Sequence, residues 1–228
     1  MKGPALRIAS ARGVPGTAGA VVKHSSGTRY LLSNEHVVFG GGAELGDPVW
    51  AIPLESLDDD VTGAVLLGRV FSGRIGRVTF EGEDCFVDCA LVELVESALP
   101  AWIAERLDEL AAFETAAPEP GIAVCKSGAA TGRTEGVLVD VAYPDYPVID
   151  GRIWSAPGQL LVDSQNPELN FSAPGDSGSA LFDVHGRLLG LLWGSNLSGQ
   201  GVACPIAPVL DCLKVTLRPA HNAARRST

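Results

Sequence analysis

The chain has 228 residues, 46% of them hydrophobic and 19% charged, enough for one sizeable core or two of roughly 100 residues each, which excludes a disordered or fibrous chain. Its 27 acidic residues against 17 basic ones give a net charge of -10; with no electrostatic footprint for gripping a phosphate backbone, nucleic acid is excluded as a partner. Glycine (27) and proline (15) are abundant while aromatics make up only 6%, a balance that favours short strands and many turns.

Residues 1–14 read as an N-terminal extension. The stretch 1–22 carries Lys2, Arg7 and Arg12 but no apolar run of the ~7–15 residues a secretory signal needs. Nothing elsewhere approaches a ~20-residue apolar span, so no membrane association is expected. Apolar and polar residues then alternate, or form short apolar runs, at 17–23, 28–33, 47–52, 63–71, 77–80 and 85–94, which predicts six strands in a first β unit over 15–100. After Pro100 the spacing of Trp102, Ile103, Leu107 and Leu110 predicts a connecting helix over 101–113, followed by a linker to residue 120. Strands are predicted again at 121–126, 134–142, 158–163, 178–183, 186–193 and 200–204, and a helix over 207–215 closes a second unit spanning 121–217. The polar tail 218–228 has no apolar face and is expected to be disordered.

The five cysteines (Cys85, Cys89, Cys125, Cys204 and Cys212) are odd in number and spaced unlike a disulfide framework. They suit a reducing cytoplasmic setting and read as buried small hydrophobes. A four-thiolate zinc site from Cys85, Cys89, Cys204 and Cys212 is disfavoured, because the spacings do not match the common zinc knuckles. No metal or other cofactor is expected, and the absence of a G-x-x-x-x-G-K loop implies no dependence on ATP.

The most informative stretch is Ser172-Ala173-Pro174-Gly175-Asp176-Ser177-Gly178-Ser179, an acid and a hydroxyl on a glycine-flanked turn just before a strand. Such a turn points backbone N–H groups at one spot, which is what the negative charge developing in acyl transfer requires. Gly175 and Ser177 are the natural pair of donors, although an ordinary hairpin turn is the plainer reading of these residues alone. A serine nucleophile also needs a base and a carboxylate to orient that base. Of the four histidines, His221 lies in the tail and His24 and His185 lie at turns. His36 follows the apolar strand in Tyr30-Leu31-Leu32-Ser33-Asn34-Glu35-His36-Val37-Val38, where a scaffold can hold a base rigidly. Asp88 sits within the apolar run Cys85–Val92, where an ionised acid costs several kcal/mol unless it is paired. Its rival Asp84 lies in an acidic turn that reads as solvated.

His36, Asp88 and Ser177 come in the chain order of the chymotrypsin-like serine peptidases. With L-S-N-x-H-V around the histidine and G-D-S-G-S around the serine, residues 15–215 resemble the bacterial trypsin-like branch of that family. The resemblance implies an all-β fold of two antiparallel six-stranded barrels, with the connecting and C-terminal helices appended. It further implies a serine endopeptidase that acts on protein or peptide substrates through an acyl-enzyme intermediate and a His36-Asp88-Ser177 triad. The alternative is a module of the same fold that binds or regulates, its activity weak or gated by a protein partner.

A second segment, Val124-Cys125-Lys126-Ser127-Gly128-Ala129-Ala130-Thr131-Gly132-Arg133-Thr134-Glu135-Gly136, is similar to the C-R-S-G-x-T-T-G-x-x-C-G of secreted bacterial serine peptidases. Glu135 stands where those have the second cysteine of a disulfide. Lys126 stands where they have an arginine paired with the acid before the nucleophile, so the resemblance implies a Lys126–Asp176 ion pair and a chain active as translated. It also places Phe171, Ser172 and Ala173 at the base of a specificity pocket and Trp193, Gly194 and Ser195 along its wall. Phe171 in place of an acid disfavours a choice of Lys or Arg. Whether its ring shortens the pocket or turns into the core stays open at this level.

Overall fold

A computed structural model describes residues 5–10, 13–54, 63–95, 99–111, 113–149 and 151–217. In chain order the first half comprises β1 (Arg7–Ser10), β2 (Gly16–Thr17), β3 (Ala20–His24), β4 (Arg29–Ser33), α1 (Glu35–Val38), β5 (Pro48–Ile52), β6 (Val65–Phe80) and β7 (Glu83–Leu94). The connecting helix α2 (Ala101–Glu109) leads to β8 (Ala123–Gly128), β9 (Gly132–Asp145), a small hairpin of β10 (Val148–Ile149) and β11 (Arg152–Ile153), and β12 (Ala156–Ser164). The chain then forms β13 (Ala180–Asp183), β14 (Leu188–Ser195), β15 (Gly201–Pro205), α3 (Ile206–Leu213) and β16 (Val215–Leu217).

The second half closes on itself as a six-stranded antiparallel barrel in the order β12-β15-β14-β13-β8-β9. The first half differs from the expected six-stranded barrel: it is an eight-stranded sheet in the order β16-β3-β4-β7-β6-β5-β1-β2. Two of its strands come from unexpected places. Residues 7–10, read from sequence as part of an extension, pair with β5 and bury Ile8 completely. The three residues of β16 return from the chain's far end to pair with β3. Both strands are too short to give a period-2 signal, and only long-range pairing defines them. The strands predicted at 63–71 and 77–80 are one continuous 16-residue strand, β6. Gly73 lies inside it because a Cβ there would sit 2.5 Å from Cε2 of Phe39, so the glycine serves a close contact and not a turn.

The connecting helix is shorter than predicted, ending at Glu109, with Ile103, Leu107 and Leu110 buried and Trp102 outside the packed face. The carbonyl of Leu110 accepts the Val21 N–H at 2.8 Å and ties the helix end to β3. At the other end α3 stops where Lys214 takes a left-handed conformation, φ 55°, and the chain enters β16. Residues 218–228, expected as a disordered tail, lie outside the described residues. No helix among the described residues is long and apolar enough to cross a membrane.

One cluster of Val124, Leu138, Leu160, Val162, Phe171 and Leu181 fills the barrel. A larger one extends from Ile8 and Leu31 in the first sheet to Phe182 and Trp193 in the barrel wall, so the two halves share a core. Buried Gln159 joins them, its Nε2 donating to the Phe86 carbonyl at 3.0 Å while its Oε1 accepts from the Trp193 indole at 2.8 Å. Satisfying the Gln159 amide and the Trp193 indole together avoids the ~1–3 kcal/mol cost of an unpaired buried group and helps set how the halves meet, which is where the cleft lies.

Candidate active site

Asp88 is fully buried on β7, and its oxygens are divided between two tasks. Oδ1 accepts the N–H of Glu35 at 2.6 Å and that of His36 at 3.3 Å, while Oδ2 faces Nδ1 of His36 at 2.5 Å. The Asn34 side chain adds a bond from Nδ2 to the Asp88 carbonyl at 2.7 Å. Because an ionised carboxylate only accepts, Nδ1 carries the proton of neutral His36 and Nε2 is left with a lone pair. His36 itself is at the second position of α1, the single helical turn that follows β4, with its ring part-exposed. Sequence reading missed α1, since four residues are too few to show a helical period. Asp84 is exposed on the β6–β7 hairpin, accepting from Thr79 Oγ1 at 3.2 Å, and is remote from this pair in its bonding.

The turn 172–179 is held by bonds from both halves of the chain. Within it, Asp176 N–H donates to the Ala173 carbonyl and Ser179 N–H to the Asp176 carbonyl, each at 3.0 Å. From β2, Thr17 N–H donates to the Ser177 carbonyl at 2.7 Å and Thr17 Oγ1 to the Gly175 carbonyl at 2.8 Å. Gly178 N–H reaches the Leu192 carbonyl on β14 at 2.8 Å. Among the described residues, the N–H groups of Gly175 and Ser177 have no protein acceptor, and Gly175 sits at φ 101°, a conformation that favours glycine. Gly16 is the spacer between this turn and α1: a Cβ on it would lie 2.5 Å from Val37 Cγ2 and 2.9 Å from the Ser177 carbonyl. The Ser177 turn and the His36 helix therefore both close on the space that a side chain at Gly16 would fill. Ser177 Oγ donates to the Trp193 carbonyl at 3.2 Å.

Beneath the turn, Lys126 Nζ lies 2.7 Å from Asp176 Oδ2 with both side chains wholly buried. Lys126 also donates to Thr131 Oγ1 and the Gly132 carbonyl. Asp176 accepts in addition from Thr131 Oγ1 and from the N–H groups of Ala130, Thr131 and Ala173. Burial pushes the Asp176 carboxyl up, but the Lys126 charge and the bonds from Lys126 and Thr131 outweigh it and hold the group below the usual carboxylate range. Burial lowers the Lys126 ammonium, and the pairing with Asp176 restores only part of the shift. Thr17 and Thr131, two clamps of this region, were missed from sequence. Thr131 lies in the segment that includes Lys126, whereas Thr17 has no local signal and acts through bonds to residues 129 and 175.

Phe171 settles the alternative left open by sequence: its side chain is fully buried, packed against Gly136 and Gly201 in the barrel core. Ser172 is buried and donates to the Gly194 carbonyl at 3.2 Å, and Ala173 is half-buried beside it. The Trp193 indole points inward to Gln159, whereas Gly194 has open space where a Cβ would stand. A cleft of about 910 Å³ opens here, lined among others by His36, Tyr143, Tyr146, Trp193, Ser195 and Leu197. Its outer wall, residues 143–148, is the end of β9 and the start of the β10–β11 hairpin, a projection that sequence reading left as loop.

No family model matches the chain, and no curated protein matches it by sequence. Solved structures do match by fold. A glutamic-acid-specific serine protease, described as using a histidine triad in substrate binding, has 19% identity and a TM-score of 0.61 over 93% of this chain and 97% of its own. An alpha-lytic protease homologue has 19% identity and a TM-score of 0.58, with 94% and 98% covered. The chymotrypsin of Cellulomonas bogoriensis has 16% identity and a TM-score of 0.55, with 93% and 96% covered. The chain has the fold of the chymotrypsin-like bacterial serine proteases along almost its whole length.

Proposed function

We propose that the chain is a serine endopeptidase of chymotrypsin type, with Ser177 as nucleophile, His36 as general base and then acid, and Asp88 as the group that orients His36. The observation that carries this reading is the 2.5 Å contact between His36 Nδ1 and a fully buried Asp88. A carboxylate placed at that cost, accepting from the histidine ring and from its backbone, supports an imidazole held in one tautomer with Nε2 as its basic nitrogen. Attack requires the Ser177 hydroxyl to leave the Trp193 carbonyl by rotation about χ1 and to donate to His36 Nε2. Oγ then bonds to the scissile carbonyl carbon, and His36 passes the proton to the leaving amine. The resulting acyl-enzyme is hydrolysed by a water that His36 deprotonates. The N–H groups of Gly175 and Ser177 stabilise the oxyanion, a contribution of several kcal/mol when donors are fixed in advance. Lys126 keeps Asp176 buried and so keeps that turn in shape without a new amino terminus.

The substrate is an extended peptide, with the backbone at Trp193–Ser195 as its pairing edge. Among the described residues the cleft contains one histidine, His36, so the glutamate preference of the structural neighbour is not carried over. With Phe171 in the core, side-chain preference falls to Ser172, Ala173, Gly194 and Ser195. The Ser177–Trp193 bond favours one second reading, a module of this fold whose activity a partner gates by turning the serine.

Intact-mass spectrometry after treatment with a fluorophosphonate tests the proposal. One adduct on the wild type, absent from Ser177→Ala, together with cleavage of a denatured protein substrate, is the expected result. An adduct that forms without any peptide cleavage would restrict the chain to small esters. Absence of an adduct from both proteins would favour the gated module.

A further inference from the structure

Thr17 lies on β2, the last strand of the first sheet, yet it is fully buried and each of its polar atoms has a partner. Its N–H donates to the Ser177 carbonyl at 2.7 Å, and its carbonyl accepts from Ser33 Oγ at 2.8 Å. The hydroxyl accepts the N–H of Ala129 at 3.0 Å and donates to the Gly175 carbonyl at 2.8 Å. Because its acceptor side is taken by Ala129, the hydroxyl proton is directed at Gly175. The links reach three other segments: the serine turn, the end of the strand β4 that precedes His36, and the connection between β8 and β9.

We infer that the Thr17 hydroxyl is the positioning group for the Gly175 N–H as an oxyanion donor, acting from the first half of the chain on a turn of the second. The inference rests on the peptidase reading of Ser177. The two donors are secured differently. The peptide unit that contains the Ser177 N–H is fixed by its own carbonyl, that of Asp176, which accepts from the N–H of Ser179 at 3.0 Å and from Ser179 Oγ at 2.5 Å. The unit that contains the Gly175 N–H ends in the Pro174 carbonyl, which has no protein donor among the described residues.

Gly175, at φ 101° and without a Cβ, supplies little rotational restraint of its own. Its orientation is therefore imposed through the next peptide unit, which is held at both ends. The Gly175 carbonyl accepts from Thr17 Oγ1, and the Asp176 N–H donates to the Ala173 carbonyl at 3.0 Å. The second bond lies within the turn; the first ties it to the rest of the molecule. Lys126 holds the Asp176 side chain from below, whereas Thr17 holds the main chain of Gly175. A donor fixed before charge develops is what stabilises an oxyanion, so the hydroxyl should act on the transition state and leave substrate binding alone.

Thr17→Val keeps the side-chain shape and removes the hydroxyl, while Thr17→Ser keeps the hydroxyl. Both are compared with the wild type on the best-cleaved member of a tetrapeptide p-nitroanilide panel, and for inhibition by the matching peptide aldehyde, whose adduct with Ser177 places an oxyanion in the hole. In Thr17→Val, kcat should fall about ten- to a hundred-fold, less than the roughly hundred- to thousand-fold of losing a donor outright, with KM little changed. Aldehyde affinity should fall by the same factor, and Thr17→Ser should recover both. Thr17→Cys, of similar volume with a weaker donor, should come between, and it takes the place of Thr17→Val if a circular-dichroism melt shows that variant unfolded. Wild-type kcat in Thr17→Val, an equal loss in Thr17→Ser, or a raised KM with kcat intact would overturn the inference while the peptidase reading stands. A wild type that neither cleaves the panel nor labels with a fluorophosphonate would overturn that reading, and the inference with it.

Discussion

Lys126 and Asp176 make an ion pair 2.7 Å long with no exposed surface on either side chain, directly under the turn that presents Ser177. Removing one member of such a pair leaves the other charge buried and uncompensated, which costs about 3–5 kcal/mol. Lys126→Met should therefore lower stability by that order and slow fluorophosphonate labelling, because Asp176 can reach solvent only by displacing residues 173–177. A thermal melt and a labelling time course check both effects. Labelling at the wild-type rate would show that the pair has no part in shaping the turn.

Asp88→Asn tests orientation separately from packing. The amide fills the same space but can turn an NH₂ towards His36 Nδ1 and favour the wrong tautomer. Peptide hydrolysis should fall about ten-thousand-fold while folding is retained, as read by steady-state kinetics beside a circular-dichroism melt.

Gly178 is at φ 93°, and a Cβ there would lie 2.1 Å from the Thr17 carbonyl and 2.3 Å from Ser33 Oγ. Neither neighbour can yield cheaply, since the first is backbone and the second is bonded to that same carbonyl at 2.8 Å. Gly178→Ala is expected to destabilise the fold by about 3 kcal/mol or more, measured by urea unfolding. Ser177→Ala next to it should cost almost nothing.

Acid sensitivity should come in part from two carboxylates. Burial raises Asp183, but the bonds from the Arg187 and His185 backbone and the Arg187 side chain outweigh it and leave the group lowered; Asp176 is lowered too. A carboxyl held below its unfolded value of about 3.9 contributes stability that is complete above that pH and is lost as pH falls through the folded value. Unfolding midpoints should therefore decline below about pH 4, and Asp183→Asn should flatten that decline. Equilibrium melts between about pH 6 and pH 2 give the slope.

Alkylation of Cys212 by iodoacetamide should rise through pH about 7, where its thiol titrates. At that pH about half of it is thiolate, against about 3% for a free cysteine of pKa about 8.5. Cys85 and Cys204, which burial raises, should react slowly over the same range. Peptide-resolved alkylation rates decide this.

Much of the architecture was legible because its signals are local. Period-2 alternation marked the six barrel strands of the second half, and a change to helical spacing marked α2 and α3. Where strands are short, as in β1, β2 and β16, or a glycine serves a contact, as Gly73 does in β6, the local signal fails; pairing with distant residues decides the outcome.

For the candidate site, residue chemistry in sequence was enough to nominate His36, Asp88 and Ser177, since an acid inside an apolar run and a serine on a glycine turn each need an explanation. Lys126 and Asp176 were nominated by resemblance alone. Only the tertiary structure could turn Phe171 into the barrel, place Thr17 across the serine turn and seat Trp193 on Gln159. Those relationships join residues scores of positions apart. They follow from which faces of two packed β units meet, and alternation along one strand carries no information about its distant neighbours.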